Sequence, residues 1–311
     1  MTPSDSLQTP TVRPQPRVLV IRGGAIGDFI LTLPALRLLR DTIAGCHLEV
    51  IGYPGIAALA QAASLADTVR SLEHRTMAPL FAKNAPIDEA LAQHLRSFNM
   101  VVSFLYDPDG LFRASLERVG VKTLIECNPR VQPDGGHASK QLAQGLEKIA
   151  MFLEDEHLLR AHFESKPPPQ KRVAIHVGSG SPKKNWPLAQ WLTLAAEIQT
   201  DDTEIVFITG EAEEARGLHL PAHHTTWHSL PLVELARQLA TCTAFLGHDS
   251  GISHLAAACG VPSLLLFGPT DPAVWAPPQP WVTVLLEETG DLATLEYQRV
   301  KMAAAQVAAK T

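Results

Sequence analysis

Three segments of the sequence carry residues whose types and spacing could do chemistry. The first is GGAIGD at residues 23–28, which follows a short apolar run and precedes a helical pattern. The glycines Gly23, Gly24 and Gly27 would let a substrate approach the backbone closely. Asp28 then lies at the mouth of the helix, where an aspartate commonly serves as a cap. This turn is therefore a candidate substrate-binding loop.

The same turn is a partial match to a dinucleotide-binding fingerprint. Its spacing is GGxxG instead of GxGxxG, which weakens the match. Glu49 lies 22 residues after Gly27, close to the position of a ribose-binding acid, but inside a predicted strand and not at its end. A nicotinamide-dependent oxidoreductase or another nucleotide-binding enzyme stays an alternative function.

The second segment is HVGSGSPKKNWP at residues 176–187, a Gly/Ser-rich loop between a predicted strand and a predicted helix. Such a loop presents backbone N–H groups, and the helix N-terminus adds partial positive charge. Lys183 and Lys184 contribute two ammonium groups. The pattern predicts a phosphate cradle, although it lacks the GxxxxGK[ST] spacing of a Walker-type nucleotidase. A solvated loop with incidental lysines is the alternative.

The third segment is GHDSGISHLAAACGVPSLLLFGPTDPAVW at residues 247–275. A predicted strand ends at Asp249, and Ser250 and Gly251 open the next helix, where backbone N–H groups are free. Residues 268–270, Gly-Pro-Thr, follow another predicted strand. Ligands of parallel sheets bind at the carboxyl ends of the strands, so both turns can face one crevice.

A fourth position, Glu213 in GEAEE at residues 210–214, also follows a predicted strand. Its carboxylate could accept hydrogen bonds from ribose hydroxyls. The simpler alternative is that these glutamates only stabilise a helix N-terminus.

Metal binding is not predicted at the histidines and cysteines. His248 and His254 are six residues apart across a helix start, which does not match compact ligand spacings. HHTTWH at residues 223–228 is interpreted as a surface loop. The four cysteines lie far apart with no CxxC pair, as expected of reduced cysteines in a cytosolic protein.

Composition narrows the class of protein. The 311 residues are 46% hydrophobic and 19% charged, which is typical of a globular protein and excludes disorder as the main state. The formal net charge is -6, so the chain lacks the basic footprint of a nucleic-acid binder. No apolar run approaches the ~20 residues that a membrane span requires.

Alternating strand and helix patterns run through the chain twice and predict two doubly wound, parallel α/β domains facing a cleft. Three consecutive prolines mark the linker between them. The C-terminal stretch is predicted to be helical. The predicted divisions are a disordered tail (1–16), an N-terminal Rossmann-like domain (17–165), a linker (166–172), a C-terminal Rossmann-like domain (173–290) and a C-terminal helix (291–311).

Taken together, the motifs resemble glycosyltransferase family nine, the ADP-heptose:lipopolysaccharide heptosyltransferases. VLVIRGGAIGDFILTLPALRLLR at residues 18–40 resembles the opening segment of the family, and HVGSGSPKKNWPLAQW at 176–191 resembles its phosphate loop. HDSGISHLAAACGVPSLLLFGPTDP at 248–272 resembles its most characteristic segment. GHASKQLAQGLEKIA at 136–150 is a weaker likeness. The resemblance spans most of the chain.

The resemblance implies a GT-B fold with an inverting, metal-independent transfer of heptose from ADP-heptose to the inner core of lipopolysaccharide. Asp28 would be the catalytic base, and Lys184 would pair with the donor diphosphate. No cofactor is implied beyond the nucleotide-sugar co-substrate. The donor-binding residues would be Ser179, Gly180, Ser181, Lys183, Glu213, Asp249, Ser250, Gly251 and His254.

The acceptor is expected to bind the N-terminal domain, where Gly23, Gly24 and Gly27 form the acceptor-side loop. Residues 65–100 depart from the family pattern, so the identity of the acceptor is left open there. An anionic lipid-linked saccharide would need a local basic patch, because this half is not net basic. The patch is predicted at Arg70, Arg75 and Lys83.

The resemblance also implies partners and a location. The partners would be a nucleotide-sugar donor and a lipid-linked saccharide, with no nucleic acid. The location would be the cytoplasm, with peripheral contact to the inner membrane. A relative that uses another sugar or another acceptor, such as a capsule or a protein, fits the same motifs, and a non-catalytic binding module is a further alternative.

Overall fold

The structure is a computed structural model that describes residues 15–164 and 170–309. Its N-terminal half is built on a five-stranded parallel sheet with the order β3-β2-β1-β4-β5. The central strand β1 is buried on both faces, as its apolar run RVLVI predicts. The strands are β1 (Arg17–Arg22), β2 (His47–Gly52), β3 (Thr68–Ser71), β4 (Met100–Ser103) and β5 (Leu124–Glu126).

The C-terminal half is built on a six-stranded parallel sheet with the order β11-β10-β9-β6-β7-β8. In both sheets the strand order reverses around the first strand of the half, which is where open α/β sheets form a crevice. The strands are β6 (Lys171–His176), β7 (Thr203–Thr209), β8 (Thr225–His228), β9 (Ala244–His248), β10 (Ser263–Phe267) and β11 (Val282–Leu286).

Helices cover both faces of the two sheets. The helix predicted after residue 28 is broken in two, and Pro34 occupies the first turn of the second piece, as expected of a residue without an N–H donor. The N-terminal helices are α1 (Ile26–Ile30), α2 (Leu33–Thr42), α3 (Pro54–Ala62), α4 (Glu89–Arg96), α5 (Leu111–Val119), α6 (Ala138–Ala143) and α7 (Asp155–Leu158). The C-terminal helices are α8 (Leu188–Ile198), α9 (Glu211–Glu214), α10 (Leu232–Leu239), α11 (Gly251–Ala258), α12 (Pro272–Trp275) and α13 (Tyr297–Ala308).

Short 3₁₀ helices complete the secondary structure. They span Arg75–Phe81, Gln144–Ile149, Pro182–Lys184 and Leu292–Thr294. In the part of the chain that the structure describes, no helix is long and apolar enough to cross a bilayer.

The two halves pack against each other through helices. Helix α1 contacts α11, and α3 contacts α10. One cluster of buried apolar side chains extends from the first half into the second, from Leu31 and Leu59 to Leu235 and Leu255. The crevice between the sheets is therefore closed at its base by a continuous core.

Three strands were not predicted from the sequence, and all three lie at sheet edges. The strands β3 and β8 are only partly buried, and their sequences lack the continuous apolar runs of central strands. The strand β11 is also only partly buried, but its sequence VTVLL is apolar except for Thr283. The interpretation of HHTTWH as a surface loop is wrong for Thr225–His228, which pairs with β7.

The predicted domain limits need two corrections. The linker was placed at residues 166–172, but Lys171 and Arg172 already pair with β7, and residues 165–169 lie outside the described part. The C-terminal helix is not a separate unit, because Val300, Ala304 and Val307 pack into the core of the second sheet. The predicted tail lies outside the described residues except for its last two positions.

Candidate active site

The candidate residues come together where α1 of the first half meets α11 of the second. Gly27 and Gly251 face each other at this contact. A Cβ atom on Gly251 would lie 2.8 Å from Cβ of Ile26 and 2.9 Å from the backbone nitrogen of Gly27. Glycine is therefore needed at position 251 for the two backbones to approach this closely. The contact brings Asp28 beside the C-terminal crevice.

A cavity of about 470 Å³ opens beside this contact. Its polar side includes His176, Ser179, Gly180, Glu213 and Ser250, and residues 25–27 of the first half close one end. Pockets with one apolar wall and a few placed polar groups are typical small-molecule sites. The apolar wall consists of Ile208, Trp227, Leu230, Leu232, Leu235 and Ile252.

Glu213 supplies the carboxylate of the cavity. Its Oε2 accepts a hydrogen bond of 2.8 Å from the backbone N–H of Gly210, which fixes the side chain across the start of α9. Its Oε1 is buried and has no hydrogen-bond partner. A Cβ atom on Gly178 would lie 1.8 Å from this oxygen, so only glycine fits there. A buried acceptor without a donor is costly, and a ligand hydroxyl would satisfy it.

The glycine- and serine-rich loop is held by its own side chains and by one arginine. The Ser179 hydroxyl donates to Oδ1 of Asn185 at 2.6 Å and accepts from the backbone N–H of Ser181 at 3.2 Å. Arg216 donates to the carbonyl oxygens of Ser179 and Gly180 at 2.7 and 3.0 Å. These hydrogen bonds from Ser179 and Arg216 fix the backbone of the loop beside the cavity.

Lys184 is the loop lysine that enters the crevice. Its ammonium group lies 2.6 Å from Oδ2 of Asp249, and the Thr270 hydroxyl donates to the same oxygen at 2.7 Å. The Asp249 side chain is 9% exposed, so this ion pair is largely removed from solvent. Lys183 is exposed instead, and the described residues provide no ion pair for it. The two lysines are thus in different environments.

Asp28 does two things at the start of α1. Its Oδ2 accepts a hydrogen bond of 3.1 Å from the backbone N–H of Ala25, so the carboxylate caps the helix. Among the described residues its Oδ1 has no hydrogen-bond partner. Buried Arg22 and the Thr32 hydroxyl both donate to the backbone carbonyl of Asp28, at 3.1 and 2.8 Å. Asp28 can therefore cap α1 with Oδ2 while Oδ1 stays free.

Buried histidines around the crevice are held neutral. Burial lowers the pKa of His176 to about 3 and the pKa of His254 to about 4. At His254 the carboxylates of Asp249 and Asp28 oppose this shift, while Lys184 reinforces it, so the imidazole lies among all three charges. Because its imidazole is neutral, His254 lies among Asp28, Asp249 and Lys184 without adding a charge.

His137 connects the two halves near the same place and was not assigned a role from the sequence. Its Nδ1 accepts from the backbone N–H of Ser139, so Nε2 carries the proton and donates to the carbonyl of Ala276 at 3.0 Å. Burial lowers its pKa. The link joins α6 of the first half to the end of α12 in the second.

Six of the predicted site residues line the cavity, namely Gly27, Ser179, Gly180, Glu213, Ser250 and Gly251. Asp28, Lys184 and Asp249 are not lining residues, but all three act electrostatically on His254. Gly23 packs toward Leu72, Leu105 and Tyr53 of the first half, whereas Gly24, with a φ of +96°, lies next to Asp28. Ser181 is at the far side of the loop. The sequence analysis missed Trp227, because its strand β8 looked like a loop, and Arg216, which acts only through backbone groups.

The residues considered for other chemistry lie elsewhere. Glu49 is buried in the first sheet, where its Oε1 accepts from Arg70 and His94 at 2.8 and 2.7 Å, so it is not free to bind a ribose. Within residues 15–164 and 170–309, no group of three His, Cys, Asp or Glu side chains is placed to hold a metal ion. The four cysteines are free and buried.

Comparison with known proteins identifies related chains. The family model of glycosyltransferase family 9 (heptosyltransferase) matches residues 139–304. Lipopolysaccharide heptosyltransferase 1 of Salmonella typhimurium is 26% identical over 292 residues, covering 83% of this chain and 90% of the relative.

Two solved structures share the fold. A family 9 glycosyl transferase from Veillonella parvula superposes with a TM-score of 0.73 at 16% identity, covering 95% of this chain and 98% of the other. The E. coli heptosyltransferase WaaC with ADP superposes with a TM-score of 0.68 at 18% identity, covering 94% and 99%. The two-domain fold predicted from the sequence is thereby confirmed.

The contact between α1 and α11 can be tested by adding one methyl group. Gly251→Ala is expected to push the two helices apart and reduce the catalytic efficiency by ~10²-fold, the effect of a misplacement of about 1 Å. Gly55→Ala is the matched control, because a Cβ atom there meets nothing within 4 Å. Steady-state rates and melting curves of both variants would be compared. If the Gly251→Ala variant were as active as the Gly55→Ala control, the close approach of α1 and α11 would not be needed for activity.

The neutral histidines predict how stability depends on pH. His162, His176, His248 and His254 have folded-state pKa values of about 3 to 4, against an ordinary value of 6.5. As the pH falls below 6.5, the unfolded chain binds protons that the folded chain excludes, so stability is lost between about 6.5 and 4.

Calorimetry between about pH 7.5 and 5 should therefore show a melting temperature that falls by ~5 °C or more. His162 is not among the residues that line the cavity of about 470 Å³, and His162→Gln should make this dependence shallower. A melting temperature that stays constant over the interval would show that these histidines titrate freely in the folded protein.

Proposed function

The chain belongs to glycosyltransferase family 9, and we propose that it transfers a heptose from ADP-heptose to an inner-core acceptor of lipopolysaccharide. Family membership favours a transferase over the oxidoreductase that the first glycine-rich turn left open. The observation that carries the proposal is the contact of Gly27 with Gly251, which brings residues 25–27 of one half, directly before Asp28, against the cavity of the other.

The cavity suits an ADP-sugar in three parts. The apolar wall around Trp227 would take the adenine ring. The unpaired Oε1 of Glu213 would accept hydrogen bonds from the ribose hydroxyls. The diphosphate would then lie at the N-terminus of α11, where the N–H groups of Gly251 and Ile252 precede the first intrahelical bonds, and beside Lys184. The E. coli structure that shares this fold contains ADP.

Asp28 is assigned the role of general base. The acceptor hydroxyl oxygen would attack the anomeric carbon of the heptose while the bond from that carbon to the phosphate oxygen breaks. The hydroxyl proton passes to Asp28, and ADP leaves with the charge. A positioned base contributes typically ~10²–10⁴-fold to such a step. Gly24 allows the close packing, because a Cβ atom there would lie 3.1 Å from Oδ2 of Asp28.

The arrangement of the charges supports the proposal of inversion without a metal. A retaining double displacement needs a carboxylate as nucleophile, and Oδ2 of Asp249 is already bound by Lys184 and Thr270. The charge that develops on the leaving diphosphate would be stabilised by the Lys184 ammonium and the α11 amides. These groups supply positive charge at fixed positions, which is the role that a divalent ion plays in other transferases.

The proposed acceptor is an anionic, lipid-linked saccharide. Arg75 and Lys83 are exposed, and Arg70 is exposed while paired with Glu49, so the basic patch can meet an anionic saccharide. Salmonella heptosyltransferase 1 is named for lipopolysaccharide, which supports a lipid-linked acceptor here. The enzyme would then act in the cytoplasm at the inner face of the inner membrane.

Asp28→Asn tests the proposed function directly. Asparagine can still accept from Ala25 and cap α1, but it cannot take the acceptor proton. In a transfer assay with ADP-heptose and an inner-core lipopolysaccharide acceptor in the presence of EDTA, the wild type should be active. The variant should lose ~10²–10⁴-fold in rate while its melting temperature and ADP affinity stay close to wild type.

Two results would contradict the proposal. A stable Asp28→Asn protein with more than about a tenth of the wild-type rate would remove Asp28 from the mechanism. Loss of wild-type activity in EDTA, with recovery on addition of one divalent ion, would show that a metal takes part.

The two loop lysines should behave differently. Lys184→Ala removes a cation from the diphosphate and leaves Asp249 as a buried, unpaired carboxylate facing it. We expect a loss of ~10²-fold in catalytic efficiency, with a raised KM for the donor. Adding Asp249→Asn should recover part of the donor affinity. Lys183→Ala should cost less, since Lys183 is exposed, and a larger loss there would reverse the assignment of the two lysines.

A further inference from the structure

His248 ties together both ends of the phosphate loop. It is the last residue of β9, and its side chain is fully buried. Its Nε2 accepts the backbone N–H of Trp186 at 2.7 Å and the indole N–H of Trp191 at 3.2 Å. A nitrogen that accepts from donors carries no proton, so the proton is on Nδ1 and is donated to the carbonyl of Gly178 at 3.3 Å.

These three bonds enclose the segment that faces the donor. Gly178 directly precedes Ser179, and Trp186 follows Lys184 by two residues. The residue after His248 is Asp249, the ion-pair partner of Lys184. One imidazole therefore sets the distance between the two ends of loop 178–186 and anchors them beside Asp249. His248 itself is not among the residues that line the donor cavity.

We propose that His248 is a positioning residue that fixes loop 178–186 and thereby holds Lys184 at the donor diphosphate. The identity of that ligand rests on the proposed function. The geometry suits a neutral histidine in particular. Its Nδ1–H donates to the Gly178 carbonyl, while its Nε2 accepts the N–H groups of Trp186 and Trp191. The Trp191 indole also packs edge-on against it, with ring centres 5.3 Å apart and planes at 78°. Phenylalanine would fill the space and leave both N–H groups unpaired.

The test compares His248→Phe, His248→Gln and the matched control His162→Phe, a buried histidine outside the donor cavity. Glutamine keeps a neutral amide oxygen that can accept the two N–H groups. Three quantities are measured: ADP affinity by calorimetry, the donor and acceptor KM values with kcat, and hydrogen exchange of the Trp186 backbone amide by NMR.

We expect His248→Phe to weaken ADP binding by ~10-fold and to raise the donor KM similarly, with the acceptor KM unchanged. The Trp186 amide should exchange faster in this variant, while the amides of β9 stay protected. His248→Gln should recover part of both effects, and His162→Phe should resemble wild type. In a Lys184→Ala background, His248→Phe should add little, because the two residues act through one loop.

A merely structural role would lower the melting temperature of His248→Phe and leave its ADP affinity and donor KM unchanged, and that result would overturn the proposal. If His248→Phe does not fold, His248→Gln must still show a smaller shift in the same direction, and wild-type values in that variant would likewise overturn it. If wild-type protein binds no ADP, the proposed donor is wrong. The exchange rate of the Trp186 amide then decides the question, and an unchanged rate rejects the loop-fixing role.

Discussion

The close approach of two backbones at Gly27 and Gly251 determines how the rest of the site is arranged. In the proposed reaction centre each domain supplies only a part: a carboxylate on α1, and a cavity with a lysine and helix amides in the second half. At this contact nearby side-chain and backbone atoms leave no room for a Cβ atom on Gly251. The chemistry therefore depends on the relative position of the domains as much as on any one side chain.

Electrostatics in the crevice follows from burial. The crevice holds the carboxylates of Asp28, Asp249 and Glu213 and the ammonium group of Lys184, and the imidazoles between and behind them are neutral because burial depresses their pKa values. With neutral histidines, Lys184 and Asp249 form the charged pair at the proposed diphosphate site. A buried ion pair of this kind adds little to the free energy of unfolding, because desolvation of the charges offsets their attraction. Its main effect is to fix the positions of the two side chains. The hydrogen bonds of Thr270 to Asp249 and of His248 to the loop ends serve the same placement.

Sequence reasoning located the strand-end loops because parallel sheets place all their carboxyl ends at one edge. It could therefore group Lys184, Glu213 and Asp249 at one sheet edge, whereas the place of Asp28 opposite them was implied by the resemblance to glycosyltransferase family nine. It missed the edge strand β8, and with it Trp227, because Thr-Thr-Trp-His has neither an apolar run nor strict alternation. It also considered His248 only as a metal ligand. The role of that residue depends on Trp186 and Gly178, more than sixty positions earlier in the chain, and no local pattern encodes such partners.

A structure of the protein with bound ADP tests the central claim most directly. The account predicts the adenine against Trp227, a ribose hydroxyl on Oε1 of Glu213, and the diphosphate between Lys184 and the N-terminus of α11. The ammonium of Lys184 should then lie within hydrogen-bond distance of a phosphate oxygen. A nucleotide bound instead on the turn at residues 23–27, with Glu213 and Lys184 unchanged, would contradict the account and restore the oxidoreductase alternative.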